Sequence, residues 1–321
     1  MTDLLGHEEA WKTWRSALSG GRMHHGWILA GKRGLGKSTF ALAAAAELVK
    51  EPGAPRIEPE NHPDIITLSP LPANEDEAKK KEEGKPYATK RNISVDQVRQ
   101  MQGRLFTRPT LGSKRAVIID AADDMEKGAV NALLKSLEEP PVGTFFLLVT
   151  HQIGRLLPTI RSRCLIVRFP TLDDRNVGLA LDWAMPHIDQ AARTAAIAAS
   201  GGSPGAALAY AEQDLGALHS IFQRLMRSGD PDFSLRAELG AAIGQRPDRE
   251  RQLAAIETAR MVLVGAMRDI SARNRMPLIE AHEALVRLAG QAPTYNFDPA
   301  LLVMEIGGLL ANLGRTREGA E

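Results

Sequence analysis

Residues 31–38 read Gly-Lys-Arg-Gly-Leu-Gly-Lys-Ser, a complete G-x-x-x-x-G-K-[ST] sequence. Glycines at 31, 34 and 36 free the backbone to curl until its N–H groups converge on a phosphate anion. Lys37 can set an ammonium against β and γ phosphates, and Ser38 can ligate Mg²⁺. Thr39 continues a helix whose positive end faces the same anion. A phosphate loop that acts on its ligand also needs a carboxylate at the end of a buried strand, holding Mg²⁺ through water. Asp120, closing Val117-Ile-Ile-Asp120, has that position. The next position, where a carboxylate would polarise an attacking water, is Ala121, and a methyl group can neither accept a proton nor orient water. Asp123 and Asp124 come two and three residues later, in the expected turn to the next helix, a poor place for a substitute base.

These groups need a scaffold. Gly26-Trp-Ile-Leu-Ala30 reads as a buried strand leading into the loop, and residues 39–50, rich in alanine and leucine, read as the helix leaving it. A helix is expected over residues 7–18, ended by Gly20-Gly21. Further strands are expected at 64–68, 115–120, 144–150 and 165–169, the last closed by Pro170. Ser94-Val-Asp-Gln97 has the form of a capping box and opens a helix to about Phe106, and another helix spans 126–138, stopped by Pro140-Pro141. Residues 70–91, Pro-rich with mixed charges, read as a solvated, mobile surface loop. Strands alternating with helices over the first 170 residues imply a parallel sheet with crossover helices. After Pro170 only helical spacing remains, broken at Gly201-Gly202, Gly229-Asp-Pro231, Arg246-Pro247 and Ala292-Pro293. The fold class is α/β plus all-α: an α/β domain over 1–170, a small helical domain over 171–213 and a larger helical domain over 214–321.

With 321 residues, 44% of them hydrophobic, the chain can build two or three packed cores. A net charge of +1 gives no global basic field for nucleic acid. The single cysteine, Cys164, excludes a disulfide framework and a four-cysteine zinc site. The first residues carry no basic segment followed by an apolar stretch, and no apolar run is long enough to span a bilayer. The expected setting is the cytoplasm, without a membrane partner.

Several further segments occur in order: Gly6-His-Glu-Glu, His24-His25-Gly-Trp-Ile-Leu-Ala-Gly, His62-Pro-Asp64, Ile93-Ser-Val-Asp-Gln-Val-Arg99, Ala129-Val-Asn-Ala-Leu-Leu-Lys-Ser-Leu-Glu-Glu-Pro-Pro141, Leu157-Pro-Thr-Ile-Arg-Ser-Arg-Cys164 and Gly202-Ser-Pro-Gly-Ala-Ala-Leu208. Together they resemble the clamp-loader ATPase family of the AAA+ class, as in bacterial DNA polymerase III. The resemblance runs from about residue 5 to 210, and the remaining helices match only in length and type. It implies an AAA+ phosphate-loop domain, a helical lid and a collar-forming helical domain. It implies other clamp-loader subunits of gamma/tau and delta types as partners, with the sliding clamp and primed DNA reached through the complex. It also implies that Arg163 projects as a finger into a neighbouring subunit's ATP site. There a forked, permanently charged guanidinium can neutralise charge on the transferred phosphoryl group. Without that resemblance Arg163 reads as a surface or ion-paired arginine.

The departures from the family pattern matter as much. Thr150 fits the first sensor, but His151 replaces the more usual asparagine. Gly205 stands where the second sensor carries an arginine. The zinc module of many relatives is not possible with one cysteine, and its region corresponds to 51–91. The expected ligand is ATP or ADP with Mg²⁺, held by Gly31, Gly34, Gly36, Lys37, Ser38, Thr39, Asp120 and Thr150, without zinc. The expected function is clamp loading within a DNA-directed DNA polymerase holoenzyme, with no polymerase activity and weak or no ATPase in this chain. The alternative is an autonomous ATP-hydrolysing motor subunit of the gamma/tau type.

Other residues read as structural. His24 and His25 have no spaced partners for a metal, Cys164 is packed rather than reactive, and Trp11 and Trp14 share a helix face turned to the core. Arg224, Arg227, Arg236, Arg246, Arg249, Arg251, Arg260 and Arg268 alternate with acids. They read as a solvated helix surface or an oligomer interface rather than a DNA groove.

Overall fold

A computed structural model describes residues 4–21, 23–53, 57–213, 215–245, 247, 249–268, 275–291 and 298–318. The chain divides into two compact units, the boundary falling between Leu172 and Asp173.

The first unit runs α1 (Glu8–Ser19), β1 (Gly26–Ala30), α2 (Lys37–Val49), β2 (Ile65–Leu68), α3 (Glu75–Glu82), α4 (Val95–Leu105), β3 (Arg115–Ile119), α5 (Lys127–Glu138), β4 (Thr144–Thr150), α6 (Pro158–Arg161) and β5 (Leu165–Arg168). The strands form one sheet in the order β2-β3-β4-β1-β5, and every pair is parallel. Each strand fell within a residue of its expected place. Parallel strands buried on both faces read as continuous apolar runs, which is how they stand in the sequence.

Period-two alternation divides the strand side chains between two cores. Ile28, Val117, Ile119, Phe146 and Leu148 point to the face covered by α4 and α5, against Val98, Met101, Leu133 and Leu137. Trp27, Leu29, Ile118, Leu147 and Val149 point to the other, covered by α1 and α2. There Trp14 meets Trp27 edge-on at 5.0 Å, and Trp11 packs 4.4 Å from Phe40. The capping box before α4 forms as expected, with Ser94 and Gln97 exchanging bonds.

Residues 70–91 depart from the expected loop. They hold α3, capped by Asn74, whose side chain accepts from Glu77 N. Acidic residues fill its first turn and lysines its last, complementing the helix dipole. Glu77 binds Lys80 and also accepts from Ala88 N at 2.6 Å, and Pro72 bridges Thr89, so the excursion closes on itself. No residue of α3 is buried, and local capping rather than a core holds it.

The second unit is helical throughout its described residues: α7 (Asp174–Ala184), α8 (Gln190–Ala199), α9 (Pro204–Glu212), α10 (Gly216–Ser228), α11 (Ser234–Ile243), α12 (Arg249–Arg268), α13 (Met276–Gln291) and α14 (Pro299–Glu318). Of the eight arginines read from the sequence as a solvated surface or interface, four make contacts within this unit. Arg224 pairs with Glu238, Arg236 with Asp230 and Arg260 with Glu257, while Arg251 donates to the carbonyls of Gln213 and Ala242. Arg246 and the Ala292-Pro293 break lie outside the described residues. Among the described residues no helix is long and apolar enough to cross a membrane.

Candidate functional site

The phosphate loop leaves the C-terminal end of β1 and turns directly into α2, which begins at Lys37, two residues ahead of its expected start. Its glycines serve different ends. Gly34 and Gly36 have φ of 80° and 76°, the left-handed region that L side chains rarely adopt. Gly31 is required for space instead: a β-carbon there would lie 2.4 Å from the Phe169 carbonyl oxygen. Its N–H donates to Thr150 O at 3.2 Å, tying the loop to β4. The first helical bond of α2 runs from Phe40 N to Gly36 O at 2.9 Å. The amides of Lys37, Ser38 and Thr39 precede it, so the helix offers them no acceptor, and an anion can supply one.

Lys37 is buried, and its Nζ donates to Lys32 O at 2.6 Å. Burial pushes its ammonium down to about 8, Asp120 and Asp123 pull the other way, and Arg33 adds to the depression. Ser38 and Thr39 are exposed on the first turn of α2. Asp120 follows β3, half-buried, with its N–H on Leu68 O at 2.9 Å. Ala121 is buried. Parallel strands thus deliver Lys37, Asp120 and Thr150 to the same C-terminal edge of the sheet, where ligands of open α/β sheets bind. The cradle's geometry fits a phosphate chain, with Ser38 and Asp120 the residues that would hold Mg²⁺.

Asp123 does not stand free as a base. Thr150 Oγ1 donates to its Oδ1, and the amides of His151 and Gln152 donate to its Oδ2 at 2.7 and 3.1 Å. The Asp124 carboxyl is raised from its ordinary value, first by burial and then by Asp123, with Arg33 and Arg155 opposing. Burial lowers the His151 imidazole, with Lys37 contributing, and its Nδ1 has no hydrogen-bond partner.

Two residues that brace the loop lack any motif. His7 Nε2 bonds the Leu35 carbonyl at 2.9 Å while its ring tilts against Phe169 at 4.8 Å. Leu4 covers Gly36, where a β-carbon would meet its Cδ1 at 2.8 Å. Only Gly6-His-Glu-Glu, quoted above as one segment of a family pattern, hinted at the first.

Arg163 lies at the opposite edge of the sheet. It precedes β5, beside the start of β1: a β-carbon on Gly26 would meet Cys164 Sγ at 2.8 Å and Arg163 O at 3.1 Å. Leu165 pairs with Trp27, whereas the phosphate loop follows Ala30. The strand between them has five residues, so roughly 15 Å of sheet separates the two positions at about 3.3 Å per residue. Arg163 Nη2 lies 2.9 Å from Glu138 Oε1, and Nη1 donates to Thr159 O at 3.0 Å. Burial pushes the Cys164 thiol up to about 12, the mark of a packed thiol. His25 bonds Leu137 O at 3.0 Å and stacks on His24, and among the described residues no group of histidine, cysteine and carboxylate side chains could hold a metal by itself. In the second unit Gly205 opens α9 behind Ser203, whose side chain accepts from Ala206 N.

The family model described as DNA polymerase III, delta subunit, matches residues 6–173, more than half of the chain. The chain is 36% identical over 219 residues to the DNA polymerase III subunit delta' of Pseudomonas aeruginosa, covering 64% of this chain and 60% of that protein. It is 32% identical over 212 residues to the subunit delta' of Escherichia coli, covering 62% and 58%. The matches thus span about three fifths of the length of these relatives. Among solved structures, a DNA polymerase III gamma subunit-related protein from Thermotoga maritima superposes with a TM-score of 0.54 at 18% identity, over 94% of this chain and 99% of that one. That likeness is one of fold, a parallel α/β sheet domain followed by helices. On the sequence match, the chain belongs to the DNA polymerase III delta-prime family of clamp-loader subunits.

Proposed function

We propose that this chain is a cytoplasmic clamp-loader subunit that helps place a sliding clamp on primed DNA, in complex with gamma/tau- and delta-type subunits. Its catalytic contribution is Arg163, offered in trans to a neighbour's ATP. The observation that carries this reading is the position of Arg163 at the sheet edge opposite its own phosphate loop, about a third exposed and out of reach of anything held there. Residues 31–38 bind ATP or ADP as a structural ligand. Bound Mg²⁺, held by Ser38 and Asp120, would neutralise phosphate charge. Lys37 adds its ammonium, the first-turn amides of α2 orient the anion, and Ala121 leaves no carboxylate next to Asp120 to activate water. Residues 171–213 serve as a lid and 214–321 as a collar.

The test is Arg163→Ala in a reconstituted complex. Assembly should persist while DNA-stimulated ATP turnover falls by about tenfold or more, since an arginine finger is worth at least that much. Unchanged turnover would sink the proposal.

The intact loop and Asp120 favour a second reading, an autonomous motor of the gamma/tau type. Robust ATP turnover by the isolated chain, abolished by Lys37→Ala, would establish that reading instead.

A further inference from the structure

The carboxylate of Asp123 gathers three donors from the end of β4. Thr150 Oγ1 donates to one oxygen, and the amides of His151 and Gln152 donate to the other. Thr150 is fully buried and sits against the phosphate loop: it pairs with Ala30, and its carbonyl accepts from Gly31 N at 3.2 Å. A threonine hydroxyl has one proton to give. Here that proton is committed to an anion of the same chain. To favour a terminal phosphate, the hydroxyl must donate to it. That would break a charge-assisted hydrogen bond and leave Asp123 and the phosphate facing each other as like charges.

We propose that Asp123 sets the nucleotide specificity of the cradle: by holding the Thr150 proton, it suppresses discrimination between nucleoside triphosphate and diphosphate. The inference rests on the reading that residues 31–38 bind nucleotide. Asp123 is a positioning residue in this scheme, acting through Thr150.

The isosteric change Asp123→Asn tests it. The asparagine oxygen can keep the His151 and Gln152 amides, while its NH₂ donates to Thr150 Oγ1 and releases the threonine proton toward the phosphates. Calorimetric titration of the full chain with Mg²⁺–ADP and with a non-hydrolysable Mg²⁺–ATP analogue gives the ratio of the two affinities. The wild-type ratio is expected within about fivefold. Asp123→Asn should shift it toward the triphosphate by about tenfold, the scale of one hydrogen bond gained by a charged acceptor. Adding Thr150→Val to Asp123→Asn should cancel the shift. An unchanged ratio in Asp123→Asn, or a shift that survives in the double variant, overturns the proposal. So does a wild-type preference for the triphosphate above about twentyfold, a result that needs no variant to fold. Absence of any nucleotide binding by the folded wild-type chain overturns the reading of the cradle itself. Binding with an unmoved ratio overturns only the role given to Asp123.

Discussion

Glu138 and Arg163 form an ion pair, 2.9 Å between Oε1 and Nη2, that joins the end of α5 to the turn before β5. With Thr159 O on the other prong, the fork is held in one pose although the arginine side chain is about a third exposed. A free arginine side chain has roughly 2 kcal/mol of rotamer entropy to lose, so a guanidinium already fixed loses less on meeting a phosphate. An exposed pair contributes about 0.2–1 kcal/mol. In the assembled complex, Glu138→Ala should therefore lower maximal ATP turnover by about two- to fivefold, far less than Arg163→Ala, at unchanged KM. Glu138→Gln, which keeps an acceptor oxygen, should recover part of that loss. Equal losses for Gln and Ala would mean that charge rather than pose is what Glu138 supplies.

Lys37 makes stability and ligand binding pull in opposite directions. Its ammonium is pushed down to about 8, so the unfolded chain binds more protons than the folded one between that value and the ordinary lysine range. Stability should therefore rise with pH above about 8, as the buried amine sheds its proton. Below about 8 the cost of keeping it charged is felt in full, on the order of 3 kcal/mol at ~1.4 kcal/mol per unit. Lys37→Met should raise the urea midpoint at pH 7 by the equivalent of about 1–3 kcal/mol and flatten the rise above pH 8. It should also abolish nucleotide binding. In the wild type, nucleotide affinity should weaken as pH rises past about 8. A variant no more stable than wild type at pH 7 would mean that the ammonium is not strained in its site.

Asp64 and Arg115 form a buried brace where β2 and β3 begin. Asp64 accepts from the amides of Thr110 and Leu111 at 2.6 and 2.8 Å, and Arg115 donates to the carbonyls of Arg104, Thr107 and Arg108. The charges approach to 4.0 Å, with the Arg115 side chain 5% and the Asp64 side chain 1% exposed. Removing one member leaves a buried charge and orphaned amides, so Asp64→Ala should cost about 3–4 kcal/mol in chemical denaturation. Asp64→Asn, which keeps one acceptor, should cost about half as much.

The sheet was legible because each strand is a short apolar run between turn residues, and the cradle because its motif is contiguous. What escaped depends on long-range or purely local chemistry. His7 reaches Leu35 across 28 positions and Asp123 reaches Thr150 across 27, and nothing in the chain between them marks either contact. Helix α3 escaped for the opposite reason. Its composition is that of a solvated loop, and the Asn74 cap and Glu77 tether outweigh composition without burying any side chain.

The loop glycines offer a last distinction that spacing alone could not draw. Gly31 is fixed by the close approach of Phe169 O, not by its backbone angles. A methyl group there must push two backbone segments apart, the cradle and the end of β5. Gly31→Ala should thus cost about 1–3 kcal/mol, the range of overpacked sites, and weaken nucleotide binding together with stability. Gly34→Ala meets a different obstacle, φ of 80°, and should cost about 1–2 kcal/mol. Gly103, inside α4 with open space where a β-carbon would stand, provides the control. Gly103→Ala should stabilise by about 0.5–1 kcal/mol, through helix propensity alone, and leave nucleotide affinity unchanged. Thermal melts and nucleotide titration on the three variants separate the cases. If Gly31→Ala behaved like Gly103→Ala, the contact with Phe169 would not be what requires glycine at that position.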